Sequence, residues 1–291
     1  MNYGMTGVNL EIDLARGSIE KVEADPRDIE DFLGGKGTST KILWDRFPPI
    51  ADGLTPEDRD KFPPVVEAYH PDNVLIFAAP ILDGTPVPAA NRLIVSTTIS
   101  PPTYLHAYAA AGGWWGPELK HAGYDKVIVT GKSPVPVYIW INNDKVEIRD
   151  ASHLWGIGTN ETEALIREEL DEMDAQVACI GPAGENKVVN STIEHAGAAC
   201  SRGVGVAMGD KKLKAIAVRG TKDLNLAHPA ELMEVCDWIM GRWDHIRERR
   251  GFIPLQFRQG AGPIDPGRSV LRAGNVRERR SEEHTSELQS R

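Results

Sequence analysis

The sequence predicts an α+β fold in which β-strands dominate up to about residue 223 and one helix follows. Short runs of β-branched and other apolar residues recur between turn residues along this part of the chain. The 28 glycines and 20 prolines among 291 residues are typical of strands and turns rather than of a helical bundle. With 41% apolar and 26% charged residues, the composition is that of a globular chain that can bury a core. No apolar run approaches the ~18 residues of a membrane span.

Charge and cysteine content narrow the possible functions. The net charge is −9, from 33 basic and 42 acidic residues, whereas nucleic-acid-binding proteins generally present a basic surface. The three cysteines are too few and too scattered for a disulfide framework, and the N-terminus lacks the apolar segment of a signal peptide. We therefore expect a cytoplasmic protein that binds no nucleic acid and acts on a small-molecule substrate or a protein partner.

The first 72 residues predict a hairpin, two helical segments and a loop. Apolar residues alternate along Val8–Leu14, and the pattern resumes after a turn, which predicts a β-hairpin over residues 7–23. Pro26 opens a helix, which the glycine-rich Gly34–Gly37 segment interrupts. Residues 48–72 lack an apolar period and predict a long surface loop.

Further strands are predicted wherever a short apolar run is bounded by turn residues. These runs are residues 74–79, 93–98, 126–130, 137–142, 145–149, 177–180 and 214–218. We expect 93–98, 126–130 and 137–149 to pair mainly antiparallel. A helix is predicted over 161–172, with Asn160 as its N-cap and Glu163 at the spacing of a capping box.

The character of the sequence changes after Lys222. Residues 228–249 predict one long amphipathic helix, so we place a domain boundary near 223–228. Residues 251–280 show no sustained period, and residues 280–291 look like a translated sequencing adapter. We therefore divide the chain into a base domain (1–223), the first helix of a truncated helical domain (224–250) and a non-native or disordered tail (251–291).

Two glycine-containing segments superficially suggest nucleotide binding. Gly123–Ser133 ends like a phosphate loop, but Pro134 disfavours the helix that must follow. Arg202–Gly209 has the spacing GxGxxxG rather than that of a dinucleotide fingerprint, and no acidic residue completes a βαβ unit downstream. A nucleotide-binding dehydrogenase is therefore the weaker interpretation, and it would require a mainly parallel sheet.

Other small-residue segments are better candidates for a ligand site. Gly112 and Gly113 would let a ligand approach the backbone closely, and the helix expected to start at Gly116-Pro117 would favour an anion. Arg92, at a strand start, could bind a phosphate in a bidentate manner. The 198–203 run offers small residues and one cation. Buried tryptophans at a tight connection and an ordinary salt bridge of Arg92 are the structural alternatives. The histidines and cysteines show no metal-ligand spacing.

Several long motifs together resemble the N-terminal domain of the aldehyde ferredoxin oxidoreductase family, over about residues 5–223. They are GGKGTSTKILWDRF, PAANRLIVST, AGGWWGPELKHAGYDKVIVTGKS, VEIRDASHLWG, IGPAGEN and VGVAMGDKKLKAIAVRG. Within the family, INNDKVEIRDASHLWG and MGDKKLKAIAVRGTKD look closer to the tungsten subunit of class II, anaerobic benzoyl-CoA reductases.

The resemblance implies a β-rich base domain that carries a tungsten or molybdenum bis-pyranopterin cofactor. The cofactor-binding positions would be Arg92, Gly112, Gly113, Ala199, Ser201, Arg202 and Gly203. No catalytic residue and no side-chain metal ligand is assigned. Two departures concern this site: Ala110 stands where the aldehyde enzymes place asparagine, and the Arg202–Gly209 loop is one residue shorter than the family pattern.

The resemblance also implies a four-iron four-sulfur cluster in the intact protein, held by a Cys-x-x-Cys-x-x-x-Cys group and a distant cysteine. Neither occurs in this sequence, so we expect this chain not to hold the cluster. The intact protein would be an oligomeric oxidoreductase that exchanges electrons with ferredoxin or an iron-sulfur subunit and acts on an aldehyde or an aromatic acyl-CoA. An inactive folded fragment without cofactor remains the alternative.

Overall fold

The computed structural model describes the backbone of residues 3–46, 69, 73–98 and 106–250, and the side chains of these residues up to 242. The predicted surface loop at 48–72 lies almost wholly outside the described residues. The predictions for 251–280 and 280–291 lie outside them as well.

The first sheet is built from strands of the N-terminal half of the chain. Its strands are β1 (Val8–Asp13), β2 (Ser18–Glu23), β3 (Leu75–Ala78), β4 (Arg92–Thr98), β5 (His106–Gly112) and β6 (Lys126–Thr130). They follow the order β2-β1-β6-β3-β4-β5, so β5 is an edge strand. β1 pairs with β6 in parallel, and the other neighbours are antiparallel.

The second sheet is built from the strands that follow. They are β7 (Val137–Asn142), β8 (Lys145–Asp150), β9 (Gln176–Cys179), β10 (Ile193–His195), β11 (Ala198–Cys200) and β12 (Leu213–Arg219). The order is β11-β10-β9-β12-β7-β8, and β12 with β7 is its parallel pair. The edge strand β11 contacts β5, which brings the edges of the two sheets together.

Helices cover the sheets and share their cores. They are α1 (Pro26–Phe32), α2 (Gly35–Arg46), α3 (Trp115–Ala122), α4 (Thr159–Leu170), α5 (Pro182–Glu185), α6 (Val204–Asp210) and α7 (Pro229–Arg250). The main core joins residues of both sheets with α3 and α6. On the outer side of the first sheet, Leu43 of α2 packs on β3 and β4, and on the outer side of the second, Ile166 of α4 packs on β7, β9 and β12. Each sheet therefore buries apolar residues on both of its faces.

This architecture confirms the predicted α+β class and the mainly antiparallel pairing of the three named segments. The hairpin over residues 7–23 is present as β1 and β2, and the turn after β7 places Asn143 at φ 50°. Because most neighbouring strands are antiparallel, the described sheets are not those of a nucleotide-binding dehydrogenase.

The helix predicted over 161–172 is shifted, and its predicted N-cap is wrong. The helix α4 begins at Thr159, and the residue in the N-cap position is Gly158, which has no side chain to cap with. Glu163 does not fold back to the helix start. Its carboxylate accepts hydrogen bonds from Arg167 Nη2 at 3.2 Å and from the backbone N–H of Ala196 at 2.9 Å. A tertiary contact thus replaces the local capping box.

The glycine-rich interruption is real, but the second helix starts earlier than the sequence predicts. Leu33 and Gly34 take positive φ values of 59° and 75°, which ends α1, and α2 then begins at Gly35. A Cβ on Gly37 would lie 2.1 Å from the carbonyl oxygen of Phe32, so glycine is required where the two helices meet. The interruption is therefore a tight corner between helices.

The last described helix, α7, spans Pro229–Arg250, close to the predicted 228–249. By its contacts the chain divides within this helix, into Met1–Cys236 and Asp237–Arg291. Val235 and Met240 of the predicted apolar stripe are 51% and 48% exposed, whereas the side chains of residues 243 and 246 lie outside the described part. Among the described residues, no helix combines the length and hydrophobicity needed to cross a membrane.

Candidate functional site

The antiparallel pair of β4 and β5 forms the centre of the candidate site. The register places Arg92 opposite Gly112 and Ser96 opposite Tyr108. Residues of β5 alternate between the main core and the opposite face, as the period of a strand requires. Ala107, Ala109 and Ala111 are buried, whereas Tyr108, Ala110 and Gly112 on the opposite face are partly or largely exposed. The exposed face of β5 therefore carries small residues with one tyrosine.

Arg92 begins β4 and presents its guanidinium beside Gly112. Its Nη1 donates to the carbonyl oxygen of Asn91 at 2.9 Å, and an added Cβ on Gly112 would lie 3.3 Å from the same nitrogen. Within the described residues the Arg92 guanidinium makes no ion pair. The alternative of an ordinary salt bridge is therefore not observed among these residues. A free guanidinium beside a residue without a side chain can accept an anion.

Asp83 binds the backbone of Arg92 and was not among the site residues predicted from the sequence. Its Oδ1 accepts a hydrogen bond from the backbone N–H of Arg92 at 2.9 Å, whereas Oδ2 is buried without a partner. Burial raises the pKa of Asp83 to about 7. A Cβ on Gly116 would lie 2.0 Å from Oδ2, so the glycine lets α3 start directly against this carboxyl group. No short sequence motif identifies such a contact.

His195 of β10 fixes the turn between β5 and α3. It is fully buried; its Nδ1 lies 2.9 Å from the carbonyl oxygen of Val177, and its Nε2 accepts from the backbone N–H of Trp114 at 3.2 Å. The carbonyl can only accept and the N–H can only donate, so the imidazole is neutral with its proton on Nδ1. Burial accordingly lowers the pKa of His195.

The same imidazole fills the space beside Gly113. Gly113 has a φ of 125°, and an added Cβ would lie 2.6 Å from Cδ2 of His195. The group that closely approaches Gly113 is therefore the His195 ring of the same chain, not a ligand. The turn separates two tryptophans: Trp115 is fully buried, whereas Trp114 is 63% exposed. The structural interpretation of two buried tryptophans is thus right for Trp115 alone.

The segment after β11 reaches the exposed face of β5 from the second sheet. Ala199 is exposed at the strand edge, and Cys200 is buried against β4. Arg202 takes a φ of 65° and places its guanidinium carbon 5.0 Å from the centre of the Tyr108 ring, a cation–π contact. Arg202 makes no ion pair with any described residue. Tyr108 was not predicted as a site residue, because the residues of its own strand contain no motif that indicates a binding role.

The predicted site residues thus separate into two groups. Arg92 and Gly112 lie opposite each other, Arg202 reaches Tyr108 on the same face of β5, and Ala199 is exposed on the neighbouring edge strand. Gly113 and Gly203 are instead packed within the protein, since a Cβ on Gly203 would lie 2.2 Å from the carbonyl oxygen of Val189. Ser201 is exposed.

The cysteines and histidines of the described residues form no metal site. Among these residues, no cluster of three or more histidine, cysteine, aspartate or glutamate side chains could hold a metal ion. Cys179 and Cys200 are free and buried, and burial raises the pKa of the Cys200 thiol to about 12. A protonated buried thiol is neither a nucleophile nor a ready metal ligand.

The fold and this edge-to-edge arrangement can be compared with known proteins. The sequence profile of the aldehyde ferredoxin oxidoreductase N-terminal domain matches residues 9–220. This chain belongs to the aldehyde ferredoxin oxidoreductase family. It is 41% identical over 235 residues to the tungsten-containing aldehyde ferredoxin oxidoreductase of Pyrococcus furiosus, a match that covers 80% of this chain and 36% of the relative. The predicted resemblance is therefore confirmed.

Two further proteins are similar to this chain. The WOR-like subunit of the aliphatic sulfonate oxidoreductase of Pyrococcus furiosus is 33% identical over 249 residues, covering 80% of this chain and 37% of the relative. The solved active site complex BamBC of benzoyl coenzyme A reductase, in complex with 1,5-dienoyl-CoA, superposes with a TM-score of 0.79 at 52% identity, covering 87% of this chain and 37% of that chain. The chain thus spans little more than a third of the length of these relatives.

Proposed function

We propose that this chain is the cofactor-base domain of a tungsten or molybdenum bis-pyranopterin oxidoreductase subunit. The observation that carries the proposal is the exposed face of β5, where Ala110 and Gly112 lie between Arg92 and Arg202 and neither cation has an acidic partner among the described residues. Flat fused rings require small residues beneath them, and terminal phosphates require guanidinium groups. The residues present therefore fit the cofactor that the family implies.

Each cofactor-binding residue has a distinct role in this proposal. Arg92 and Arg202 bind terminal phosphates, while Gly112 and Ala199 allow the rings to approach the backbone. Gly113 and Gly203 hold the two turns in shape, and Ser201 offers a hydroxyl. His195 and Asp83 act as positioning residues, because one fixes the turn at Gly113 and the other fixes the backbone of Arg92. When bound, the cofactor supplies two-electron oxidation–reduction at its metal.

For the substrate, we favour an aromatic acyl-CoA. The support is the 52% identity to the benzoyl coenzyme A reductase complex, against 41% to the tungsten-containing aldehyde ferredoxin oxidoreductase. An aldehyde is the second candidate, because several family relatives of about that identity carry this activity in their names. The two differ in bulk and charge, since an acyl-CoA brings phosphates to the protein and an aldehyde does not.

The remaining parts of the proposed enzyme are assigned by the same reasoning. Residues 1–223 form the base domain, 224–250 the first helix of a helical domain, and 251–291 a non-native tail. The four-iron four-sulfur cluster belongs to other parts of the intact protein, since this chain contains only three separated cysteines. The intact protein is cytoplasmic and oligomeric, and ferredoxin or an iron-sulfur subunit exchanges electrons with it.

The metal content of the intact protein tests this function. We expect Arg92→Ala in the intact protein to lower the tungsten or molybdenum content several-fold while its circular dichroism stays unchanged. Lys145→Ala is a matched control, because Lys145 is an exposed cation that is paired with Glu147 on β8. Full metal content in Arg92→Ala would contradict the site. A Cys-x-x-Cys-x-x-x-Cys group encoded beyond codon 250 of the gene would support the assignment of the cluster.

A further inference from the structure

A second cation contacts the ring of Tyr108. The Nζ atom of Lys36, in the first turn of α2, lies 3.7 Å from the centre of the Tyr108 ring. Arg202 contacts the same ring from the end of β11 at 5.0 Å. Lys36 and Arg202 come from segments that are distant in the sequence, and both are exposed. Both cations therefore contact one aromatic ring.

Nothing in the described part of the chain neutralises these charges. Neither Lys36 nor Arg202 makes an ion pair there, whereas Lys41, Lys187 and Arg219 each pair with a carboxylate. Two cations held near each other repel, and the repulsion is offset only by the ring or by a bound anion. The titratable neighbours respond to the excess positive charge. The pKa of Tyr108 is lowered by a hydrogen bond from Lys36 and by the charges of Lys36 and Arg202, and the pKa of His106 is lowered by partial burial and then by Lys36.

We infer that Lys36, Tyr108 and Arg202 form a binding site for a phosphate group, with the two cations as its donors and the tyrosine ring as the platform that holds them. The inference rests on the proposed function only for the origin of the phosphate. The arrangement of the two cations around Tyr108 is independent of that proposal. Tyr108 and Gly112 lie on the same face of β5, four residues or about 13 Å apart. The site is therefore separate from the Arg92 guanidinium, on the same surface.

Two sources could supply such a phosphate in this enzyme family. One is the terminal phosphate of a pterin cofactor, and the other is the phosphate-rich nucleotide of a coenzyme A substrate. Both offer the same chemistry to a lysine and an arginine, namely a compact dianion with several acceptor oxygens. They differ in what is attached to the phosphate, so the two can be separated by competition.

Binding of inorganic pyrophosphate to the 291-residue chain tests the site directly. We expect calorimetric titration to show binding that weakens with added salt. Lys36→Ala and Arg202→Ala should each raise the dissociation constant about tenfold or more, because each removes a charged hydrogen-bond donor. Lys36→Arg should retain binding. Lys41→Ala is the matched control on the same helix, because Lys41 is paired with Asp45, and it should change the constant less than about twofold.

A spectroscopic readout reports on Tyr108 itself. The ultraviolet difference spectrum between the wild-type chain and Tyr108→Phe isolates the titration of this tyrosine. Saturating pyrophosphate should raise the pKa of Tyr108 towards its ordinary value, because the anion offsets the two cations. Lys36→Ala should do the same without pyrophosphate, whereas Lys41→Ala should not. A pyrophosphate affinity unchanged in both Lys36→Ala and Arg202→Ala would overturn the inference.

Competition then identifies the source of the phosphate. Coenzyme A and 6-hydroxymethylpterin phosphate are each titrated by calorimetry into the wild-type chain and into Lys36→Ala, and against bound pyrophosphate in the wild-type chain alone. The compound that displaces pyrophosphate more strongly, and whose own binding is weaker in Lys36→Ala, supports the site and names its ligand class. If both compounds bind the wild-type chain and Lys36→Ala equally well, the site is not a phosphate site. These outcomes are independent of the metal content of the intact protein, so failure of one proposal can be distinguished from failure of the other.

Discussion

Cationic side chains are arranged in opposite ways in two parts of this chain. Lys214 of β12 is fully buried, donates to the carbonyl oxygen of Ile157 at 2.7 Å and forms an ion pair with the buried carboxylate of Glu185. Glu185 in turn accepts from the backbone N–H of Gly156 at 2.7 Å. Three cations around the exposed face of β5 are exposed and lack such partners among the described residues. They are Lys36, Arg92 and Arg202.

The difference separates charges that hold the fold from charges that are available to a ligand. A buried ammonium group must be paired, because its desolvation is otherwise uncompensated. An exposed cation can remain unpaired at little cost, and it is then free to bind an anion. Variants of the two regions should therefore differ in which property they change, stability or binding. Four predictions test this contrast, from the largest expected effect on stability to the smallest.

The buried ion pair should show the largest effect. Glu185→Ala leaves the Lys214 ammonium buried without its partner, so we expect it to lower the free energy of unfolding by about 3–5 kcal/mol. Urea denaturation of the chain measures this change. The double variant Lys214→Met, Glu185→Leu should recover most of the loss because it removes both charges. If Glu185→Ala alone cost less than about 1 kcal/mol, the contrast between the two regions would fail.

Asp83 should make stability depend on pH. Its pKa in the folded chain is about 7, well above the usual range, so the folded state holds a proton that the unfolded state releases above about pH 4. Stability from this group is full below about pH 4 and is lost as the pH rises towards 7. Relative to Asp83→Asn, the wild-type chain should therefore lose about 4 kcal/mol between pH 4 and 8.

Urea denaturation at a series of pH values measures this difference. Comparison with Asp83→Asn cancels the contributions of other groups, including the buried His195, whose lowered pKa acts in the opposite direction. Parallel pH profiles of the two chains would show that Asp83 does not carry the proton, and that the N-terminus of α3 stabilises its carboxylate instead.

The turn at Gly113 should show a smaller effect with a matched control. An alanine at Gly113 meets both an unfavourable φ of 125° and the His195 ring at 2.6 Å. Gly17 has a φ of 68° and nothing within 4 Å of its added Cβ, so Gly17→Ala reports the backbone effect alone. We expect about 1 kcal/mol for Gly17→Ala and about 2–3 kcal/mol for Gly113→Ala. Thermal denaturation of both variants gives the difference, and equal losses would exclude the contact with His195.

The sequence predicted the parts of the fold that rest on local patterns. The hairpin of β1 and β2 and the strands β6, β7 and β12 follow from apolar runs between turns, and all are present. Strand β5 was missed because its alanine and glycine residues carry no strand signal, and β10 and β11 are too short to show a period. The capping box at α4 failed because Glu163 bonds a distant backbone N–H rather than its own helix.

The candidate site shows the same division between local and distant information. Arg92 and Gly112 could be selected because a cation at a strand start and paired glycines are visible in the sequence. Asp83, His195 and Tyr108 could not, because their roles arise from contacts with Arg92, Trp114 and Arg202 that only strand register and tertiary packing create. Family resemblance grouped Arg92, Gly112 and Ala199 in one site, and these residues lie on β4, β5 and β11, a combination that no local pattern contains.

The smallest effect on stability is expected for the two cations at Tyr108. Lys36 and Arg202 are exposed and repel each other, so removal of either relieves repulsion while it forfeits one cation–π contact. These contributions are of opposite sign and similar size, so Lys36→Ala and Arg202→Ala should each change the free energy of unfolding by no more than about 0.5 kcal/mol. Urea denaturation in a buffer without phosphate measures this change. With saturating pyrophosphate, the wild-type chain should gain stability that both variants lack, because a ligand stabilises only the state that binds it. A loss above about 2 kcal/mol in either variant without pyrophosphate would place these cations with Lys214, as charges that hold the fold, and the contrast between the two regions would disappear.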